Sequence, residues 1–340
     1  MPTRPTVSNV YSLLILKAKL YSYRHQLNPS LSKNKIIRPR KMKITMRHSL
    51  SSGADCIYII DCLTDSELQT GITHETTLVD ALNNRNNDIS HQIVRKKVQT
   101  TNDFYKLISE ITCNEKVVAP LLCIHGHGSM KAGLLVGKEY IGWHKLINCF
   151  TKLIEVKKGN LTIFALFCHS YQLVNFFKAQ DHLVNYCRNK YRKLPFAYYY
   201  GYESKINAGE IQDETNKIFT SLLNTEHPEL FQEIPKLKIK KYSEFDYCSE
   251  KVLPILGLFV YDIDNPNISK KNIRDKVANS IRDMGFSFKL SRDYFKNIKQ
   301  NPTFLFDLID KLMHPSEVRE LYKKDLMRHY FKQKSIKKSK

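Results

Sequence analysis

The chain has 340 residues, 42% of them hydrophobic and 11% aromatic, enough to bury a large core and to exclude global disorder. Its formal net charge is +21, and the two ends carry much of it: eleven Lys/Arg and no acid in 1–54, five Lys and no acid in 332–340. Eight cysteines with no CxxC pair and no regular spacing, in a chain this long, argue against a disulfide scaffold and for a reducing, cytoplasmic setting.

In chain order, residues 1–53 form a basic leader, expected to be disordered. Its longest apolar run, LLIL at 13–16, is too short for a signal-peptide core or a membrane span. DCIYIIDCL (55–63) is predicted as a buried strand, and THETTLVDALNNR (73–85) as a helix with Thr73 as its N-cap. SHQIVRKKV (90–98) is a more exposed strand. TNDFYKLISEI (101–111) is a helix capped by Thr101 or Asn102, with Phe104, Leu107, Ile108 and Ile111 at helical spacing. VVAPLLCIHG (117–126) is a third strand, and 133–143 a small hairpin turning at Gly137-Lys138. A helix over 143–156 meets the breaker KKGN, with Trp143 as a core anchor.

LTIFALFC (161–168) is the most apolar strand and is expected to be central. A helix over 172–189, a strand over 195–203 and a helix over 211–223 follow, with Asp213 and Glu214 as an acidic pair at the last helix's start. The tyrosines of FAYYYGY (196–202) alternate along a strand, so core packing is expected for them. KLKIKKYSEF then reads as a basic segment, 252–264 as one more strand, and the chain from 268 onward as helical. Repeated strand–helix units of this length predict an α/β fold: a mostly parallel sheet flanked by helices in three layers, with a helical C-terminal part.

In such sheets, sites form beyond the carboxyl ends of the strands. Three predicted strand ends carry polar or reactive groups: His125-Gly-His127-Gly128, Cys168-His169-Ser170, and Gly201-Tyr202-Glu203. A cysteine hydrolase needs a thiolate, an imidazole to hand a proton to the leaving amine, and N–H groups aimed at the oxyanion. A Cys just past a buried strand gains N–H donors from the next turn and helix start. A Gly after the His lets the backbone approach a substrate closely.

Other readings stay open on these residues. Cys168 taken alone is also a common kind of buried strand cysteine, and His127 a common kind of hydrogen-bonded loop histidine. Cys123, His125 and His127, with Cys168 or His169, also have the types and spacing of a zinc site if the strand stays extended through them. The basic ends and 19 tyrosines fit a nucleic-acid binder loosely, without finger spacing or an RNP-like strand.

LCIHGHGSM and LTIFALFCHS, taken together, resemble the two catalytic blocks of caspase-like cysteine peptidases, metacaspases especially. The order His then Cys, with 41 residues from His127 to Cys168, suits that group, and the resemblance covers roughly 54–225. It implies a peptidase domain over 54–230; the chain's own pattern and charge add a further strand and helical region over 231–331 and a basic tail over 332–340. It implies a thiol endopeptidase acting on protein substrates without metal or cofactor. His127 would be the catalytic imidazole, Cys168 the nucleophile, and the N–H groups of Gly128 and Cys168 the oxyanion hole. His125 has a weaker claim to the catalytic place.

The chain departs from the family pattern where the pocket is concerned. Leu166 stands where metacaspases carry an acid and caspases a Gln, Phe167 where both carry a small residue, and Tyr171 where a Gly is common. Glu203 is the candidate replacement acid for the substrate pocket. The family also implies activation by processing, by a partner or by homodimerisation. The basic ends suit an added contact with nucleic acid or an anionic membrane.

Overall fold

A computed structural model of the protein describes residues 54–83, 92–188, 192–224, 237–257, 275, 304–316 and 319–328. The expected leader (1–53), the basic tail (332–340) and most of the span from 258 to 303 lie outside the described residues.

Six strands form one sheet in the order β2-β1-β3-β7-β8-β9. They are β1 (Cys56–Asp61), β2 (Gln92–Lys97), β3 (Pro120–His125), β7 (Thr162–Leu166), β8 (Tyr198–Tyr202) and β9 (Ile239–Ser243). Only β9 runs antiparallel to its neighbour. Every residue of β1, β3, β7 and β8 is buried, as a strand covered on both faces requires. A second, small antiparallel sheet joins β4 (His127–Ser129), β5 (Gly133–Val136) and β6 (Glu139–Ile141). Gly137, with φ 59°, makes the expected hairpin turn.

Helices cover both faces of the large sheet. Alternate residues of its strands, among them Ile57, Ile59, Leu121, Cys123, Phe164 and Tyr200, share one core cluster with Leu78 of α1 (Thr70–Asn83) and with Ile211, Ile218 and Phe219 of α5 (Ala208–Asn224). On the opposite face, α3 (Trp143–Val156) packs between α2 (Thr101–Cys113) and α4 (Gln172–Arg188). α3 buries Trp143, Leu146, Ile147, Phe150, Leu153 and Ile154, the stripe its sequence period demands. It stops where Lys158 and Gly159 turn left-handed, at φ 51° and 88°.

The C-terminal part is helical, with α6 (Glu244–Gly257), α7 (Phe304–Leu312) and a last helix over 319–328, α8. Glu244 at the start of α6 is buried and holds the His314 ring and main-chain N–H just after α7. Arg319 and Lys323 of α8 reach Asp310 of α7 at 3.2 and 2.6 Å.

The structure corrects several sequence expectations. The α2 cap is Thr100, whose hydroxyl and the Asp103 carboxylate form a reciprocal capping box, rather than Thr101 or Asn102. α1 starts at Thr70, three residues before the expected cap. The basic segment IKKYS is strand β9, where Ile239 and Tyr242 turn into the core. The first half of the expected 252–264 strand is helical, because Ser243 and Asp246 cap each other and launch α6 directly from β9. A short apolar run such as VLPILG carries no period that separates strand from helix. Glu214 lies within α5 rather than at its start, and its carboxylate accepts the N–H groups of Lys238 and Ile239 at 2.6 and 3.0 Å, steering the chain into β9.

Candidate active site

β3 and β7 are adjacent parallel strands, with His125 level with Leu166. Beyond this edge the chain at His127 leaves the large sheet and enters the small one, where His127 pairs with Leu135 and Gly128 with Leu134. Beyond β7, Phe167 is buried with its ring stacked on Trp143, the centroids 6.4 Å apart. Trp143 is anchored in turn by its indole N–H, which donates to the Met130 carbonyl at 2.9 Å.

The two segments touch at Gly128. A Cβ on that residue would fall 2.0 Å from the Cys168 carbonyl oxygen and 2.5 Å from the Phe167 ring. No side chain fits there, so the glycine after His127 is required by the approach of the two backbones.

The turn after Cys168 is sewn to the end of β8. Its first residue, His169, holds a left-handed conformation with φ 57°, sparsely populated for a residue with a side chain. The His169 N–H donates to Ser204 O at 3.1 Å, and the Tyr171 N–H to Tyr202 O at 3.0 Å. Buried Ser170 donates its hydroxyl to Ala165 O at 2.7 Å and accepts the Tyr202 N–H at 2.8 Å. The Tyr199 hydroxyl donates to Ser170 O at 2.7 Å. α4 follows directly, so its N-terminus opens beside the thiol-bearing residue. Among the described residues, no main-chain acceptor takes the Cys168 N–H.

The Cys168 thiol is half-buried. It donates to Ile206 O at 3.3 Å and accepts the Ile206 N–H at 3.4 Å. The His127 ring is half-exposed, with Nε2 bonded to Glu67 Oε1. Among the described residues, no hydrogen bond joins this ring to the thiol; each holds another partner. The Thr64 N–H, aided by His127 and the Thr64 hydroxyl, holds the Glu67 carboxyl below the usual carboxylate range.

His125 is placed differently from His127. It is buried, with Nδ1 2.9 Å from the Thr70 hydroxyl and Nε2 3.0 Å from His74 Nδ1. Burial pushes its pKa down to about 3, and burial followed by the neighbouring ring pushes His74 well below its ordinary value. Both rings are therefore neutral structural groups, out of reach of solvent.

Cys123 is wholly buried in the core cluster, its thiol pushed up by desolvation. The spacing Cys123-x-His125-x-His127 therefore does not converge: two members face the core and the third has turned into another sheet. Among the described residues, no three His, Cys, Asp or Glu side chains are grouped as metal ligands.

The two weaker pocket candidates stand apart. Leu166 is buried in the core cluster beside Phe164 and Tyr202. Glu203 is exposed, with Oε2 2.5 Å from Lys240 Nζ. The aromatic run of β8 is core, as its alternation implied; Tyr200 stacks on Phe164 at 4.2 Å between centroids.

Glu67, Thr70, His74 and Ile206 were not legible as site residues in the sequence. Thr64-Asp-Ser-Glu67 does carry the T-x-x-E spacing of a reciprocal cap, the one local signal that pointed to an ordered loop there. Among the described residues, no helix is long and apolar enough to cross a membrane. No protein-family model matches the chain, and no curated protein matches it.

Proposed function

We propose that the chain is a caspase-like cysteine endopeptidase with Cys168 as nucleophile and His127 as its acid–base partner. The observation that carries this reading is the contact at Gly128, which brings the residue after the histidine against the carbonyl of the cysteine. The strand order, with one antiparallel strand at the edge, and the open N–H at Cys168 add support.

The chemistry follows from these groups. The Cys168 thiol gives its proton to His127, and the thiolate adds to the scissile carbonyl carbon. The Cys168 and Gly128 N–H groups serve the developing oxyanion. The His127 imidazolium protonates the amide nitrogen, the C–N bond breaks, and an acyl-thioester remains. His127 then takes a proton from water, which attacks the thioester and expels the thiolate.

Productive substrate binding requires the thiol to exchange Ile206 for His127 or substrate. Glu203, exposed and paired with the exposed Lys240, is the acid available to meet a basic substrate side chain. The reducing cytoplasm is the compartment that suits a catalytic thiol and the seven free cysteines among the described residues. The basic ends give a second, additive role as contacts with nucleic acid or an anionic membrane.

The test is labelling of the full chain with peptide acyloxymethyl ketones bearing Asp, Arg or Leu next to the warhead. Covalent capture at Cys168 with one preferred residue is expected. Absence of capture by all three, with salt-sensitive retention on nucleic acid, would turn the reading to an inactive fold that binds polyanions.

A further inference from the structure

We propose that Glu67 is the positioning residue for His127, so that the site works as a Cys168–His127–Glu67 relay. This rests on the reading of Cys168 and His127 as nucleophile and acid–base group.

The carboxylate is organised before any substrate arrives. Oε1 bonds His127 Nε2. Oε2 is occupied on the far side, accepting the Thr64 N–H at 2.6 Å and the Thr64 hydroxyl at 2.9 Å. The Gln69 amide closes the same loop, donating to Thr64 O at 2.7 Å and Glu67 O at 2.9 Å. Both ends of the loop are tied to the sheet edge. The Leu63 N–H donates to buried Asp61 Oδ1 at 3.1 Å, and Thr70 meets buried His125. Glu67 is thus held by its own loop, and the ring is what adjusts to it.

This geometry sets the tautomer. With the carboxylate on Nε2, the neutral ring keeps its proton there, and Nδ1 is the nitrogen left for the thiol. When Nδ1 takes the proton of Cys168 Sγ, the new positive charge lies beside Glu67. No proton moves to Glu67, which acts through the ring alone. Of the other charged or titratable groups on the adjoining segments, Lys131, His144 and Lys205 are exposed, and Asp61, Asp65, Lys97 and His169 are engaged elsewhere. Asp65 pairs with Lys97 at 3.0 Å, Lys97 also lies 3.7 Å from Asp61, and His169 Nδ1 lies 3.1 Å from Glu203 O.

The experiment is the rate of iodoacetamide alkylation of the full chain from pH 5 to pH 9, with the Cys168 peptide quantified by mass spectrometry. His127→Ala is expected to move the acid limb of the profile up to the range of an unassisted thiol. Glu67→Gln is expected to move its midpoint up by about one pH unit, which makes alkylation about tenfold slower on that limb. Glu67→Asp should recover part of the shift. A purely structural role would lower the melting temperature and leave the midpoint in place. A Glu67→Gln profile that overlays the wild type, while His127→Ala still alters it, overturns the role of Glu67 and leaves the dyad standing. A profile indifferent to His127→Ala overturns the dyad, and the relay with it. If Glu67→Gln does not fold, Thr64→Val removes the hydroxyl contacts to the carboxylate and to Ser66 Oγ and keeps the Thr64 N–H contact. It must then move the midpoint the same way by less, and an unmoved midpoint counts against the proposal.

Discussion

Gly128 and Cys168 meet through their main chains, so closely that a methyl on Gly128 would lie 2.0 Å from the Cys168 carbonyl oxygen. The neighbouring Gly126 is also crowded, but there a Cβ would meet the Leu134 methyl at 3.0 Å and the Cys62 Cβ at 3.3 Å, with no backbone atom nearer than 3.7 Å. The two glycines of HGHG therefore have different tolerances, although the sequence writes them alike.

Gly128→Ala should force the β4 backbone off the Cys168 turn. A loss of about 1–3 kcal/mol in unfolding free energy is expected, with Cys168 capture by an acyloxymethyl ketone largely lost. Gly126→Ala should cost less on both measures. Equal tolerance of the two substitutions in denaturant titration and labelling would contradict the contact.

His127→Ala and Cys168→Ala should each abolish capture and cleavage. His125→Ala should act through stability instead, because its ring is buried between Thr70 and His74. Measured below its own melting temperature, the folded His125→Ala protein should keep much of the wild-type labelling rate. A loss as complete as that of His127→Ala would place His125 in the chemistry.

The buried histidine pair makes stability depend on pH. Both folded-state values lie below the ordinary 6.5, that of His125 at about 3. As pH falls below 6.5, the unfolded chain takes up protons that the folded chain refuses. Stability is therefore complete above about pH 6.5 and is lost progressively toward pH 3, at up to about 1.4 kcal/mol per pH unit from His125, with His74 acting in the same direction. Urea unfolding between pH 7.5 and pH 5 should show this slope, and His125→Leu should remove the His125 share of it. A slope unchanged by that substitution would count against a neutral buried pair.

Ser170 joins β7 to β8 through one hydroxyl, bonded to Ala165 O and the Tyr202 N–H. Ser170→Ala leaves that buried N–H without an acceptor and should cost about 1–3 kcal/mol. Chemical denaturation checks the stability, and the pH profile of Cys168 alkylation checks whether the turn has loosened. A substitution neutral in both would show that the hydroxyl is dispensable.

The helices and the central strands were legible because their signals are local. The buried stripe Phe104, Leu107, Ile108 and Ile111 of α2 states a helical period, and the short run of β7, bounded by the breaker KKGN, reads as a strand buried on both faces. Strand β9 was not legible, since two adjacent lysines hide its buried Ile239 and Tyr242. The α6 boundary failed for a related reason: the reciprocal cap between Ser243 and Asp246 decides the helix, and the apolar run behind it does not.

The sequence alone determined that the chain builds a mostly parallel α/β sheet, and that His127 and Cys168 stand just past the ends of two of its strands. Period, glycine placement and apolar run length are properties of neighbouring residues, so they survive without coordinates. Only the tertiary structure decided which histidine is exposed and which is neutral and buried. It alone paired Glu67 with His127 across 60 residues and set Gly128 against the Cys168 carbonyl. These outcomes depend on strand order and on where the chain leaves the large sheet for the small one. Desolvation and close approach arise between segments that are distant in sequence, and no local pattern encodes them.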